Sequence, residues 1–596
     1  MFLVVAITIS LIPFATQNTI AATQLSGPER GAISRYEAYI GTKGMVVSDD
    51  RVASEWGAEI LRSGGNAIDA AVATAFALSV TRPHYASIGG GGFLLYCPRP
   101  KASKPAQCQA IDYREQAPAA ATRDMYIRDG RTKTQLAQNG ALASGVPGVV
   151  AGLLKALEQY GTLSRQEILK KPIELAETGY TFTPYAETAA LERWPAMNPE
   201  ARKIFGCSKE TLERSETQDV SSGPLTLTPC PTGTNLKQPD LAKVLKRISK
   251  DGIKGFYEGP TAQDLVKGIQ KAGGIITVED LKSYRVRERI PLETRFLNHN
   301  VVTMPPPSGG VYLLQLLHYA ELAKKSGLFE SGFGSVNALH ALIHSMALAY
   351  YDRAHYLGDP DFFKIPLTRL LSPNYLSQRW KSFQLAQSAI PVDNQDLKET
   401  VEPQFTTHFS AIDKYGNAVA LTTTINENYG SGFVPPGTGV VMNNEMDDFS
   451  THPNVHNQYG LIGLEANSIA PHKRPLSSMA PTIVRDENGF PQIVIGAAGG
   501  PRITTSVFLT LINRLIFGMQ LNDAVAAPRI HQQWIPNIVL MESYGFPIEV
   551  RTQLEKIGYK TEEVPKLAVI HALERLKNGR VLGISDFRGE GNPVAE

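Results

Sequence analysis

A surplus of charge of either sign is missing from this chain. Lys and Arg number 59 against 57 Asp and Glu, a formal net charge of +2 over 596 residues. No Lys/Arg cluster stands out, so the sequence offers no basic field for nucleic acid, and small molecules are the expected partners. Long hydrophobic runs are scarce as well. Only Phe2 to Ala15 is apolar; Pro13 breaks it, small residues follow at Ala21-Ala22, and the first charged residue is Glu29. That run is too short to span a bilayer comfortably. It reads as a secretory signal over residues 1–22, which implies a periplasmic or secreted protein with no stable membrane span. Cysteine is rare: Cys97, Cys108, Cys207 and Cys230. None belongs to a C-x-x-C pair, which argues against zinc or thioredoxin-like chemistry. In an oxidising compartment Cys97–Cys108 and Cys207–Cys230 are the local disulfides to expect; four free thiols are the alternative, and spacing does not decide between them. There is no internal repeat and no low-complexity tract.

What remains is an ordinary globular composition, 43% apolar and 19% charged. Met45 to Ser48 forms a short strand. Asp50 caps a helix running to Arg62, which Ser63-Gly64-Gly65 stops, and Asn66 caps a second helix with Ile68, Ala71, Val72 and Ala75 at helical spacing. The glycines Gly89 to Gly92 lead into a strand over 93–96; no Lys-Ser/Thr follows them, so they are not a phosphate loop. The region from about 150 to 400 reads as mostly helical, with an exposed excursion over 207–240 and an apolar helix over 335–351. His340 and His344 lie four apart on that helix without the glutamate of a zinc-protease pattern, so they are expected in the core or a groove. Beyond 405 strands dominate, at 406–412, 418–425, 439–443, 481–485 and 491–496.

The most informative stretch is a hairpin. Thr406-Thr407-His408-Phe409-Ser410-Ala411-Ile412 and Ala418 to Asn426 flank the turn Asp413-Lys414-Tyr415-Gly416-Asn417. A turn centred on Tyr415 makes the numbers of facing residues sum to 830, which sets Thr406 opposite Thr424. Thr424 and Asn426 then share a face. On pattern alone this is an ordinary hairpin with a polar face, since threonine favours strands.

Several ordered motifs change that reading. Thr406-Thr407-His408-Phe409-Ser410-Ala411-Ile412-Asp413, Asn443-Asn444-Glu445-Met446-Asp447-Asp448-Phe449, Arg474-Pro475-Leu476-Ser477-Ser478-Met479 and Ala498-Gly499-Gly500 resemble the small subunit of γ-glutamyltransferases. Ser63 to Ala71, Ile88 to Phe93, Asp112-Tyr113-Arg114-Glu115 and Tyr356-Leu357-Gly358-Asp359-Pro360 resemble their large subunit, in order along nearly the whole chain. The resemblance implies a four-layer αββα sandwich of the α+β class, the N-terminal-nucleophile hydrolase fold. It also implies one precursor cut between Phe405 and Thr406 into a large subunit, 23–405, and a small one, 406–596, joined as a heterodimer in one αββα unit.

The implied roles follow chemistry. A threonine hydroxyl is a weak nucleophile until a nearby base takes its proton, and a freed α-amino group on Thr406 is such a base. Thr424 matches the threonine that assists it. Arg114, Ser477 and Ser478 match the site for the donor's α-carboxylate, and Asn426, Glu445 and Asp448 the site for its α-ammonium. Gly499 and Gly500 match backbone donors to a tetrahedral oxyanion; Pro501 departs from the serine expected after them. Residues 450–465 resemble a lid loop with Tyr459 as its gate. Donors would be glutathione and other γ-glutamyl compounds, acceptors water, amino acids or dipeptides, with no metal or organic cofactor. Taken singly, Arg114 with Asp112 and Glu115 also fits a surface ion pair, Glu445 and Asp448 a solvated acidic turn, and Ser477-Ser478 a cap. The rival readings are a cephalosporin or glutaryl acylase of the same superfamily and a non-catalytic amino-acid-binding protein of the same fold.

Overall fold

The computed structural model describes residues 38–100, 106–208, 227–388, 406–451 and 457–596. The expected signal, Phe405 and part of the expected lid lie outside these residues. Fourteen strands build two large sheets: β1 Tyr39–Gly41, β2 Met45–Ser48, β3 Gly91–Cys97, β4 Gln109–Asp112, β5 Arg287–Arg289, β6 Leu292–Phe296, β7 His299–Thr303, β8 Thr406–Ile412, β9 Ala418–Thr424, β10 Thr482–Arg485, β11 Pro491–Ala498, β12 Val569–Arg575, β13 Val581–Ser585 and β14 Asn592–Ala595. One sheet runs β5-β4-β3-β9-β8-β2-β14 and the other β1-β13-β12-β11-β10-β7-β6. Each draws strands from both sides of Thr406.

Strand alternation divides the core. In the first sheet Val46, Leu94, Tyr96, Phe409, Ala411, Val419 and Leu421 pack outward against α1, Arg51–Arg62, and α2, Ala67–Thr81. The neighbouring residues Met45, Val47, Phe93, Leu95, Ala418 and Ala420 point inward, into a cluster shared with Ile493, Ile495 and Ala572 of the second sheet. Helices α3, Gly310–Lys325, α4, Val336–Tyr356, and α5, Arg502–Leu515, cover the far side of that second sheet. The result is the four-layer αββα sandwich. Both leading helices are capped as the sequence indicates: Asp50 accepts from the Val52 N–H, and Asn66 makes a reciprocal capping box with Asp69.

The hairpin pairs in the expected register, Thr406 facing Thr424 and Ile412 facing Ala418. Asp413 closes its turn by accepting from the N–H groups of Tyr415 and Asn417 at 2.9 and 3.0 Å. Its other oxygen accepts from the N–H of Ala67 at 3.1 Å, tying the turn to α2. Because the side-chain period is two, Thr406, His408 and Ser410 face the second sheet; a Cβ built on Gly496 would lie 2.2 Å from the His408 ring.

Three expectations need correction. Residues 439–443 are not a strand; only Met442 bridges, to Gly89. Gly439 has φ +66° and sits against Leu241, while the Asn443 side chain donates to the carbonyls of Gly89 and Gly145, so this segment crosses the end of the sheet. The middle region is not only helices and loops: β5, β6 and β7 lie in it and form an edge of each sheet. The segment 207–240 is not an excursion throughout, since Cys230, Leu236 and Gln238 are buried and a helix begins at Pro239. Both disulfides form, Cys97–Cys108 and Cys207–Cys230. His340 hydrogen-bonds with Tyr559 and the Gln384 carbonyl, and His344 with Ser382. Among the described residues no helix is long and apolar enough to cross a membrane.

Candidate active site

Thr406 and Thr424 open the first sheet onto a pocket. Their Oγ1 atoms are 3.1 Å apart, and the Asn426 N–H donates to Thr424 Oγ1 at 2.9 Å. The same polar stripe continues below: His408 lies 2.9 Å from Thr422 and 3.0 Å from Ser410. Burial holds the His408 imidazole well below its ordinary pKa, so it is neutral. Glycine makes the approach of the strands possible here. A Cβ on Gly90 would stand 2.1 Å from the Thr424 carbonyl, and one on Gly91 2.4 Å from the Glu115 carboxyl.

Arg114 follows β4 and is fully buried. Its guanidinium contacts Asp448 at 2.5 Å, Glu445 at shorter range and Glu115 at 3.5 Å, while Nε donates to the Pro475 carbonyl at 3.3 Å. Asp112 accepts from the Arg114 N–H at 3.0 Å, but its carboxylate pairs with Arg289 and Arg474. Arg114 is therefore no surface ion pair, and Glu445, 1% exposed, is no solvated turn. One guanidinium cannot neutralise three carboxyls, two of them buried and the third 13% exposed. Burial pushes Glu115 up to about 7, with Arg114 opposing, and drives Glu445 well above the usual range for the same reason. For Arg114 burial works against the charge, but Glu445, Glu115 and Asp448 outweigh it and hold the group above the ordinary arginine range. The cluster retains a proton near neutral pH.

Ser477 and Ser478 line the same pocket. The Ser477 N–H donates to the Pro307 carbonyl at 2.7 Å, and Ser477 Oγ accepts from the Met479 N–H at 3.1 Å. Ser478 Oγ is buried with no hydrogen-bond partner among the described residues. Thr504, on α5, donates to the Ser478 carbonyl at 2.8 Å and fixes that backbone. Gly499 and Gly500 join β11 to α5 at φ +138° and +56°, conformations that favour glycine. Gly500 lines the pocket and Gly499 does not.

Tyr459 closes one side. Its hydroxyl lies 2.9 Å from the Asn426 carbonyl and 2.8 Å from Asn426 Oδ1, and its ring covers Gly500. Asn426 itself has φ +75°, which a short polar side chain tolerates, and donates from Nδ2 to the Asn444 carbonyl at 3.0 Å. The pocket thus brings together Arg114, Thr406, Thr424, Asn426, Glu445, Asp448, Tyr459, Ser477, Ser478 and Gly500. Sequence reasoning missed Arg353, which also lines it, and Glu115 as the third carboxyl on Arg114. The motif Tyr356 to Pro360 holds a scaffold residue: Asp359 accepts from the Arg474 N–H at 2.9 Å.

Comparisons with known proteins place the chain in a family. The chain is 38% identical over 588 residues to a glutathione hydrolase proenzyme of Pseudomonas sp. (strain A14), covering 97% of each. It is 37% identical over 553 residues to that of Escherichia coli (strain K12), covering 92% of this chain and 90% of the relative. Among solved structures, Helicobacter pylori gamma-glutamyltranspeptidase matches at TM-score 0.53 and 32% identity, over 62% of this chain and all of the other. A cephalosporin acylase from Bacillus halodurans shares the fold at TM-score 0.76 with 24% identity, over 98% of this chain and 99% of the other. The family model described as Gamma-glutamyltranspeptidase matches residues 53–596, and with these identities along nearly the full length the chain belongs to that family.

Proposed function

We propose that this chain is a γ-glutamyltransferase and glutathione hydrolase that cuts its own Phe405–Thr406 bond and then works through Thr406. The observation that carries the reading is the 3.1 Å contact between Thr406 Oγ1 and Thr424 Oγ1 on a pocket that also holds Arg114, Glu445 and Asp448. A γ-glutamyl donor presents an α-carboxylate and an α-ammonium side by side. Its carboxylate takes the Arg114 fork and the hydroxyls of Ser477 and Ser478; its ammonium takes Asn426, Glu445 and Asp448. The zwitterion brings both charges of the exchange, so Arg114 and its acids change partners without either being left unpaired.

In the first half-reaction Thr406 Oγ1 attacks the γ-carbonyl as its proton passes to the Thr406 α-amino group. The N–H groups of Gly499 and Gly500 stabilise the oxyanion. The amide C–N bond breaks, the proton goes to the departing amine, and a γ-glutamyl ester remains on Thr406. Water, an amino acid or a dipeptide then attacks the ester and restores the hydroxyl. Tyr459 gates the pocket through its contacts with Asn426. Residues 23–405 and 406–596 form the two subunits, and the apolar leader together with two disulfides supports export to the periplasm or beyond. The Thr406→Ala variant is expected to stay one uncut, inactive chain on a denaturing gel. A variant that is processed and active refutes the assignment.

A further inference from the structure

Among the described residues Arg353 is a cation without a counter-ion. It is 5% exposed, it lines the Thr406 pocket, and among the described residues its side chain has no hydrogen bond or ion pair; its Nε is buried with no acceptor. Other buried arginines keep carboxylates close by: Arg485 has one at 2.8 Å and Arg82 has two, at 3.4 and 3.6 Å. Arg114, Arg474, Arg514 and Arg529 each have a carboxylate oxygen within 2.6 Å. A guanidinium stays charged at any physiological pH, and keeping one unpaired in a dry site is costly unless a ligand supplies the anion.

Its place in the pocket narrows what that anion is. Arg353 lies on α4 one turn after Tyr350, and residues three apart share a helix face. The Tyr350 hydroxyl donates to the carbonyl of Pro501, the residue after Gly500. Arg353 therefore belongs to the wall beside the glycine pair, where the scissile carbonyl would sit, while Arg114 is already ringed by Glu115, Glu445 and Asp448. A γ-glutamyl peptide carries three ionic groups. Two are the glutamyl zwitterion. The third is the carboxylate of the amine that leaves, and an acceptor amino acid or dipeptide brings the same group to the same side of the ester.

We propose that Arg353 binds the free carboxylate of the leaving peptide and of the acceptor, making this site selective for amines that carry one. The proposal rests on the γ-glutamyl reading above and goes beyond it by assigning a leaving-group subsite. The parent enzyme is compared on γ-glutamyl-cysteinyl-glycine, on the same peptide with an amidated C-terminus, and on a neutral γ-glutamyl anilide. It is expected to favour the free acid over the amide by at least about tenfold in kcat/KM, as suits a charge-assisted bidentate contact. Arg353→Gln is expected to lose that preference, and Arg353→Lys to keep part of it. A parent enzyme that treats acid and amide alike overturns the proposal without any variant. So does an Arg353→Gln variant that loses the same factor on all three donors, which would put the arginine on the glutamyl side or in the scaffold. A parent enzyme that cleaves none of the three refutes the function reading instead.

Discussion

Replacing Asp448 by Asn keeps the side-chain volume and removes one full charge from the Arg114 cluster. Asp448 lies 2.5 Å from Arg114 Nη2, with its side chain 13% exposed. Two unit charges at about 4 Å attract by roughly 4 kcal/mol at an effective dielectric near 20. Desolvation offsets part of this, and hydrogen bonds to charged groups contribute about 1.5–3 kcal/mol net. A donor ammonium that loses this partner should therefore lose about 2–3 kcal/mol, or roughly 30- to 160-fold in kcat/KM. Arg114 keeps Glu445 and Glu115, so the variant leaves no orphaned buried cation. The assay is the rate on a γ-glutamyl anilide against a glutaryl anilide, which has the same scissile amide and chain length but no α-amino group. Asp448→Asn should slow the first by that factor and the second far less. Equal losses on both donors would show that Asp448 does not meet the ammonium, and the charge assignment of the pocket would fall.

Two further variants follow from the same geometry. Gly500→Ala places a methyl group about 3.0 Å from the Tyr459 ring at a backbone φ of +56°; it is expected to lower kcat by roughly a hundredfold or more through a displaced oxyanion donor, and a kcat within a few-fold of the parent would remove Gly500 from that role. Glu115 has its pKa raised from 4.5 to about 7 by burial, so the folded state holds a proton that the unfolded chain has released. Its contribution to stability therefore falls as pH rises through that window. Glu115→Gln should gain in melting temperature relative to the parent between pH 5 and 8, and a gap that does not change with pH would contradict the buried-proton account.

Local rules carried a large part of this fold. The caps at Asp50 and Asn66, the turn at Asp413 and the register of the Thr406 hairpin all depend on hydrogen bonds between residues close in sequence. The strand proposed at 439–443 failed for the opposite reason. Val440 and Val441 are good strand formers, but Gly439 is pressed against Leu241 and Asn443 is bonded to Gly89 and Gly145, partners nearly 200 residues or more away. The strands β6 and β7 were readable in principle, since Leu292, Thr294 and Phe296 alternate, yet they are short and lie among helices.

The site divides in the same way. Residue chemistry and order along the chain pointed to Thr406, Arg114, Asp448 and Gly500, which line one pocket, because motif spacing survives in one dimension. Sequence by itself determined the hairpin, the caps and the family. Only the tertiary structure decided that three carboxyls share one buried guanidinium, that Tyr459 reaches Asn426, and that Arg353 has no anion among the described residues. Those are facts of burial and of meetings between distant segments. Whether a charge is costly, paired or waiting for a ligand depends on which surfaces exclude water around it, and no local pattern records that.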